Sequence, residues 1–313
     1  MSHRHERVSE QPARRATTVG WELTGVPYTS ARDQGGIADA IGVLRGMGLA
    51  ERLGDHGVAD AGDLELLPPS GERGRSGLLN EAALERLVDA THVHVHRVHE
   101  RGRRPLLVGG DCPVLLGALA ALGDERGLVM LDGHEDAWPP RRSPTGEASD
   151  SEVAIALGRV APLPRRLDRL VPLTHPTALA YLGPRDGAEL AEAAIPSLRD
   201  EVAHFSDAAD VAEALRAGRN PAADAVAALA ARAFWLHVDL DVLSSGALAA
   251  VDYRQPGGLG WEELERLCAY LFSHAQCTGA SIAIYNPALD PTREEAAKVV
   301  EFAARLVVSG PRP

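Results

Sequence analysis

Leu128-Val-Met-Leu-Asp132-Gly-His134-Glu-Asp136 decides the fold, because four apolar residues run straight into a polar cluster. Phe234-Trp-Leu-His237-Val-Asp239-Leu-Asp241 repeats the arrangement later in the chain. An apolar run this short, without polar alternation, reads as a strand buried on both faces, as in parallel sheets covered by helices. Similar runs occupy residues 18–25, 105–108, 178–182 and 281–284. Helical patterns lie between them. Residues 36–49 carry Ile37, Ile41, Leu44 and Met47 on one face, and Asn80 is placed to cap a long helix with the stripe Leu84, Leu87, Val88, Thr91, Val95 and Val98. Further helices are predicted over residues 114–122, 151–157, 207–217, 221–232, 261–274 and 293–308, and a Pro/Gly/Ser-rich loop over residues 64–77. No repeat or linker divides the chain. The expectation is one α/β domain over residues 17–313, three-layered α/β/α with a mostly parallel sheet, after a polar, Arg-rich disordered tail at residues 1–16.

Composition narrows the function. The 313 residues are 45% hydrophobic, enough for a full core. Forty-four acids against 32 bases leave a net charge of −12, which argues against a nucleic-acid surface. No apolar run reaches the roughly 18 residues of a membrane span. The N-terminus has no apolar segment of the secretory kind. Three cysteines, Cys112, Cys268 and Cys277, cannot build a disulfide framework, so a reducing cytoplasm is expected. Lys298 is the only lysine, which leaves Schiff-base chemistry a single candidate.

In a parallel sheet, ligands sit beyond the carboxyl ends of the strands. Three strands here end in polar clusters: Asp111 and Cys112; Asp132, His134 and Asp136; His237, Asp239 and Asp241. Alternate residues on an extended segment point the same way, so each cluster can present one face. Carboxylates converging without counter-cations repel, and a divalent metal relieves this. Hard oxygen donors with a minority of imidazole suit Mn²⁺ or Mg²⁺, with Fe²⁺ and Zn²⁺ as further candidates. A lone Asp-x-Asp at a strand end is usually a cap or turn former. Two such clusters after apolar strands, with His134 between the acids of the first, favour the metal.

The same residues carry a family likeness. The segment 35–45, Gly-Gly-Ile-Ala-Asp-Ala-Ile-Gly-Val-Leu-Arg, is similar to the early Gly-Gly…Leu-Arg segment of the ureohydrolases (arginase, agmatinase, guanidinobutyrase, formiminoglutamase). Gly109-Gly-Asp-Cys112 resembles their Gly-Gly-Asp-His, Asp132-Gly-His-Glu-Asp136 their Asp-Ala-His-x-Asp, and His237-Val-Asp-Leu-Asp241 their Ser-x-Asp-x-Asp. Pro256-Gly-Gly-Leu259 and Asn286-Pro-Ala-Leu-Asp290 match two later signatures, and the likeness runs from about residue 25 to 308. The resemblance implies an arginase-like fold, two manganese ions and a bridging hydroxide that attacks the amidine-type carbon of a small-molecule substrate. It implies that Asp132 and Asp239 bridge both ions, that His134 and Asp241 complete one site, and that Asp136 with Cys112 completes the other. Asp136 would also receive the proton of the attacking water. Trimers or hexamers are implied by the same likeness.

Several positions depart from the family pattern. Cys112 stands where the family has His, and three readings are open: a ligand favouring softer ions, a neutral small residue beside a half-empty site, or a reactive thiol. Ile284 stands where the family has the Glu that grips a guanidinium, which weighs against arginase or agmatinase activity. The loop of the arginase proton-shuttle His aligns with residues 145–149, where no His occurs; Glu147 or Asp150 is either its substitute or simply the acidic first turn of a helix. Asp186 is kept from an acidic pair whose second place is Ala188. His237 is either an acid/base group or a packed partner of the ligands. His92, His94, His96 and His99 read as the polar flank of a helix, Gly109-Gly110 and Gly257-Gly258 as tight turns, and Trp138 as a pocket wall or loop packing. The leading expectation is a hydrolase of a non-peptide C–N bond. A single-metal deacetylase-like enzyme using Asp132, His134 and Asp241, and a non-catalytic binding protein, are the alternatives.

Overall fold

The computed structural model describes residues 20–123 and 126–309, so the tail expected at residues 1–16 lies outside them. Eight strands form one sheet: β1 (Trp21–Gly25), β2 (Ala59–Asp63), β3 (Arg104–Val108), β4 (Gly127–Leu131), β5 (Leu179–Leu182), β6 (His204–Ser206), β7 (Phe234–Asp239) and β8 (Cys277–Ala283). The order is β2-β1-β3-β8-β7-β4-β5-β6, and every pairing is parallel. Parallel strands need crossovers, which helices supply. These are α1 (Ala40–Gly46), α2 (Leu49–Gly54), α3 (Glu81–Glu100), α4 (Val114–Leu122), α5 (Glu152–Ala156), α6 (Gly187–Glu192), α7 (Ala208–Arg216), α8 (Pro221–Ala228), α9 (Trp261–Ser273) and α10 (Glu294–Ser309).

Both faces of the middle of the sheet are apolar, so β3, β4, β5 and β7 each feed two cores. On β7, Phe234, Leu236 and Val238 share a core with α1, α2, α8, α9 and α10. Trp235, with Leu128 and Met130 of β4, lies in the second core with α3, α4 and α5. This is the expected three-layer α/β/α arrangement, with the sheet wholly parallel. Because all strands run one way, the carboxyl ends of the adjacent strands β3, β8, β7, β4 and β5 open on one edge.

The differences from the sequence reading have local causes. The helix expected at residues 36–49 breaks into a 3₁₀ turn (Gly36–Asp39), α1 and α2, with Gly48 at φ +88 between the helices. Strands β2 and β6 carry no apolar run: β2 is a largely exposed edge and β6 has three residues. Asn80 does not cap α3 with its side chain. Its Oδ1 accepts from the Ser70 and Gly71 amides (2.9 and 2.8 Å), and its Nδ2 donates to the Ser30 and Ala31 carbonyls (3.0 and 2.8 Å), tying two loops together. Cys277 begins β8, and it is buried like Cys268. No helix among the described residues is long and apolar enough to cross a membrane.

Candidate metal centre

The Asp-x-His-x-Asp segment leaves β4 and keeps its alternation. Asp132, His134 and Asp136 turn one way, while Glu135 turns the other and accepts from Ser197 Oγ (2.7 Å) and the Leu198 amide (2.6 Å). Asp132 Oδ1 accepts from the His134 amide (2.8 Å), and Asp239 Oδ1 accepts from the Asp241 amide (2.7 Å). Each of these aspartates therefore closes a turn with one oxygen, the structural duty of an Asx-turn. The second oxygens face inward. Asp132 Oδ2 is buried without a hydrogen-bond partner, and Asp239 Oδ2 accepts from the Cys112 thiol at 2.8 Å.

Two triads result, Asp132/His134/Asp136 and Asp132/Asp239/Asp241, each with donor atoms mutually within 4.8 Å. Asp132 belongs to both, and Cys112 to neither. Close backbone packing keeps the triads together. A Cβ on Gly133 would lie 2.7 Å from Asp241 Oδ1, and the Gly133 amide donates to that same oxygen (2.8 Å). Asp136 sits at φ +47, a region that Asp tolerates better than most residues, and its carbonyl accepts from the Val153 and Ala154 amides of α5 (3.1 and 3.4 Å).

The electrostatics are those of anions crowded out of water. Burial, with Asp241 adding to it, pushes the Asp132 carboxyl up to about 7. Burial and acidic neighbours raise Asp136 and Asp239 far above the usual carboxylate range. Burial opposes charge on His134, but Asp241, 2.7 Å from Nδ1, outweighs it and the imidazole rises to about 10. Among the described residues no arginine forms a salt bridge with these carboxylates: Arg185, whose charge adds to that of His134 in lowering Asp241, donates to the carbonyls of Asp241 (2.6 Å) and Leu243 (3.3 Å). Burial and the surrounding acids push the Cys112 thiol well above its ordinary value, which disfavours the thiolate. The donor set is hard oxygen with one imidazole, and the unpartnered Asp132 oxygen has room for a cation. The residues fit Mn²⁺ better than a softer ion.

Four triad members, His134, Asp136, Asp239 and Asp241, line a cavity of about 390 Å³, and the shared Asp132 is fully buried and is not part of the lining. The cavity walls carry Glu147, Asp150, Asp186, Glu189 and Asp252, with Arg254 the only Lys or Arg among the lining residues. Asp186 holds the Glu135 amide (3.1 Å) through Oδ2, and its Oδ1 has no partner. Glu147 accepts from Tyr253 Oη (3.2 Å), and burial with Asp111 nearby lifts it to about 7. Ile284 lines the cavity at φ +67, a strained conformation for a β-branched residue. Next to it, Asn286 Nδ2 donates to both oxygens of Asp252 (2.9 and 3.1 Å). Trp138 is also a wall residue.

His237 is not a wall residue. It is fully buried, its Nδ1 lies 2.6 Å from Ser281 Oγ, and desolvation pushes it down to about 3. Of the two roles left open by the sequence, this is the placement of a packed partner. Sequence reasoning missed Asp252, which lies in a stretch with no periodicity, and Glu152, a fully buried acid in the first turn of α5. An acid at that helix position normally reads as a complement to the helix dipole, so nothing flagged it. The four histidines of α3 flank the helix as expected: His94 Nε2 lies 2.6 Å from Thr24 Oγ1, and His99 Nε2 lies 2.9 Å from the Thr278 carbonyl. A larger recess, about 640 Å³, is lined by residues of α2, α9 and α10, but its charges are paired across it, as in Arg305–Glu265 at 2.9 Å.

Comparison with known proteins agrees with this geometry. The chain is 25% identical to the arginase of Bacillus caldovelox over 296 residues, covering 91% of this chain and 96% of that one. The native structure of Bacillus caldovelox arginase superimposes with a TM-score of 0.77 at 24% identity, covering 92% of this chain and 98% of that one. Formimidoylglutamase from Bacillus subtilis gives a TM-score of 0.67 at 18% identity, covering 94% and 88% of the two chains. The model of the arginase family matches residues 23–309, from β1 to the end of α10, and on that match the chain belongs to the arginase family.

Proposed function

We propose that the protein is a metal-dependent hydrolase of a non-peptide C–N bond in a small, cationic amidine- or guanidine-derived substrate. The observation that carries the reading is the pair of triads sharing the buried Asp132, whose other four members line an acid-walled cavity. Asp132, His134, Asp136, Asp239 and Asp241 would hold two Mn²⁺ ions. When bound, such a pair lowers the pKa of water toward neutrality and so supplies a nucleophile.

The chain's own groups do the rest. Asp136 takes a proton at its carboxylate, which metal binding would keep ionised despite burial. Glu147, lifted to about 7 and anchored by Tyr253, is poised to carry a proton to the leaving nitrogen. Asp186 and Asp252 attract the positive charge of the substrate, and Ile284 with Trp138 keeps bulk water away from the reacting carbon. The Ile at position 284 removes one carboxylate from the grip expected by resemblance, so free arginine is not the favoured substrate.

Incubation of Mn²⁺-loaded enzyme with a panel of amidines and guanidines, read by ammonia and urea release, tests this. Release from at least one member supports it, and no release from any contradicts it. One observation favours a second reading. Cys112 lies outside both triads, which suits a single ion held by Asp132, His134 and Asp241. Acetate release from acetylated amines, with no urea from any guanidine, would select that one.

A further inference from the structure

Glu152 is the most anomalous side chain in the molecule. It is fully buried at the start of α5, and neither carboxylate oxygen has a hydrogen-bond partner. Leaving an anion or acid like this in a protein interior is strongly unfavourable unless something binds it. The residues after it are ordinary core: Val153, Ala154 and Ile155 are buried in the apolar cluster with α3 and α4. Its surroundings are specific. The Asp136 carboxyl neighbours that of Glu152, whose charge also acts on Cys112, and Glu152, like Cys112, belongs to neither triad. The backbone holds this in place, because the Val153 amide, next to Glu152, donates to the Asp136 carbonyl at 3.1 Å. Glu152 therefore stands beside the two residues, Asp136 and Cys112, that the resemblance gives to one metal ion. Cys112 donates to Asp239 Oδ2 at 2.8 Å, a contact that occupies its sulfur in this structure.

We infer that Glu152 is a metal ligand of this centre, supplying beside Asp136 the donor that Cys112 does not. The inference rests on the metal-centre reading above. Glu152 gives a hard oxygen in place of a soft sulfur, which keeps the whole donor set suited to Mn²⁺.

The full chain, stripped of metal, is titrated with Mn²⁺ and free ion is read by electron paramagnetic resonance. The parent protein, Glu152→Gln and Cys112→Ser are compared. About two ions are expected in the parent and in Cys112→Ser, with one of them lost or weakened by roughly 10- to 100-fold in Glu152→Gln. Two ions bound with unchanged affinity in Glu152→Gln, or an ion lost in Cys112→Ser, would overturn the inference and leave the metal centre standing. A parent protein that binds no ion removes the metal centre itself. Absorption of the Co²⁺-loaded parent gives a second test that needs no variant to fold. Absence of a thiolate-to-cobalt charge-transfer band is expected, and its presence would assign the position to Cys112.

Discussion

Asp239 divides its two oxygens between tasks, one closing the turn to the Asp241 amide and the other facing Cys112 and the triads. That division explains why an Asp-x-Asp at a strand end is ambiguous in sequence: the turn-forming and metal-binding readings are both satisfied by one carboxylate. Replacing it separates them. Asp239→Ala is expected to release bound Mn²⁺ and to lower kcat/KM by roughly 10²- to 10³-fold, measured by metal analysis and steady-state kinetics on the same preparation; unchanged turnover would remove the enzymatic readings. Ile284 provides the opposite kind of test, a gain. Ile284→Glu removes a β-branched residue from φ +67 and places a carboxylate in the cavity wall. Guanidinium binding should tighten by about 10-fold or more, the order of one new buried ion pair, read as a lower KM or Ki for guanidines. A value that does not move would show that Ile284 does not face the substrate cation.

At the scale of elements, the strands were readable where both faces are buried. Residues 128–131 became β4, and the predicted strand within residues 234–239 became β7 over its full length. Strands β2 and β6 escaped because an exposed edge or a three-residue strand leaves no apolar signature. The beginning of β8, Cys277-Thr-Gly-Ala280, is only weakly apolar, so the strand was seen from Ser281 onward. In the site, the alternation of Asp132, His134 and Asp136 was legible because it depends only on extended backbone. Glu152 and Asp252 were not, since each is brought in by tertiary contact from a helix turn or a loop. The histidines of α3 make a check at this scale. His92→Ala/His96→Ala should leave metal content and Tm unchanged, whereas His99→Ala should cost about 1 kcal/mol by unpairing the Thr278 carbonyl, with metal content intact. Metal loss in the double variant would relocate a site to α3.

For the whole molecule, stability and metal binding are linked through pH. His134 is raised from 6.5 to about 10 and Asp132 from 3.8 to about 7, while burial raises Asp136, Asp239 and Glu152 well above the usual carboxylate range. A group whose folded pKa lies above its unfolded value holds more protons when folded, so its stabilisation is lost as pH rises. Between pH 7.5 and 8.5, His237, pushed down to about 3, is already neutral in both states and does not oppose this. The metal-free protein should therefore lose roughly 2–4 °C in Tm across that unit, and added Mn²⁺ should restore more at pH 8.5 than at pH 7.5 because it displaces those protons. Scanning calorimetry with chelator and with Mn²⁺ checks both; a metal-free Tm that rises over this interval would contradict the charge arrangement.

The metal content of the purified chain, expressed with manganese supplied, tests the centre most directly. About two divalent ions per chain are expected. Well under one ion per chain would mean that these buried acids are held together by protons alone, and the hydrolytic chemistry assigned to them would fall.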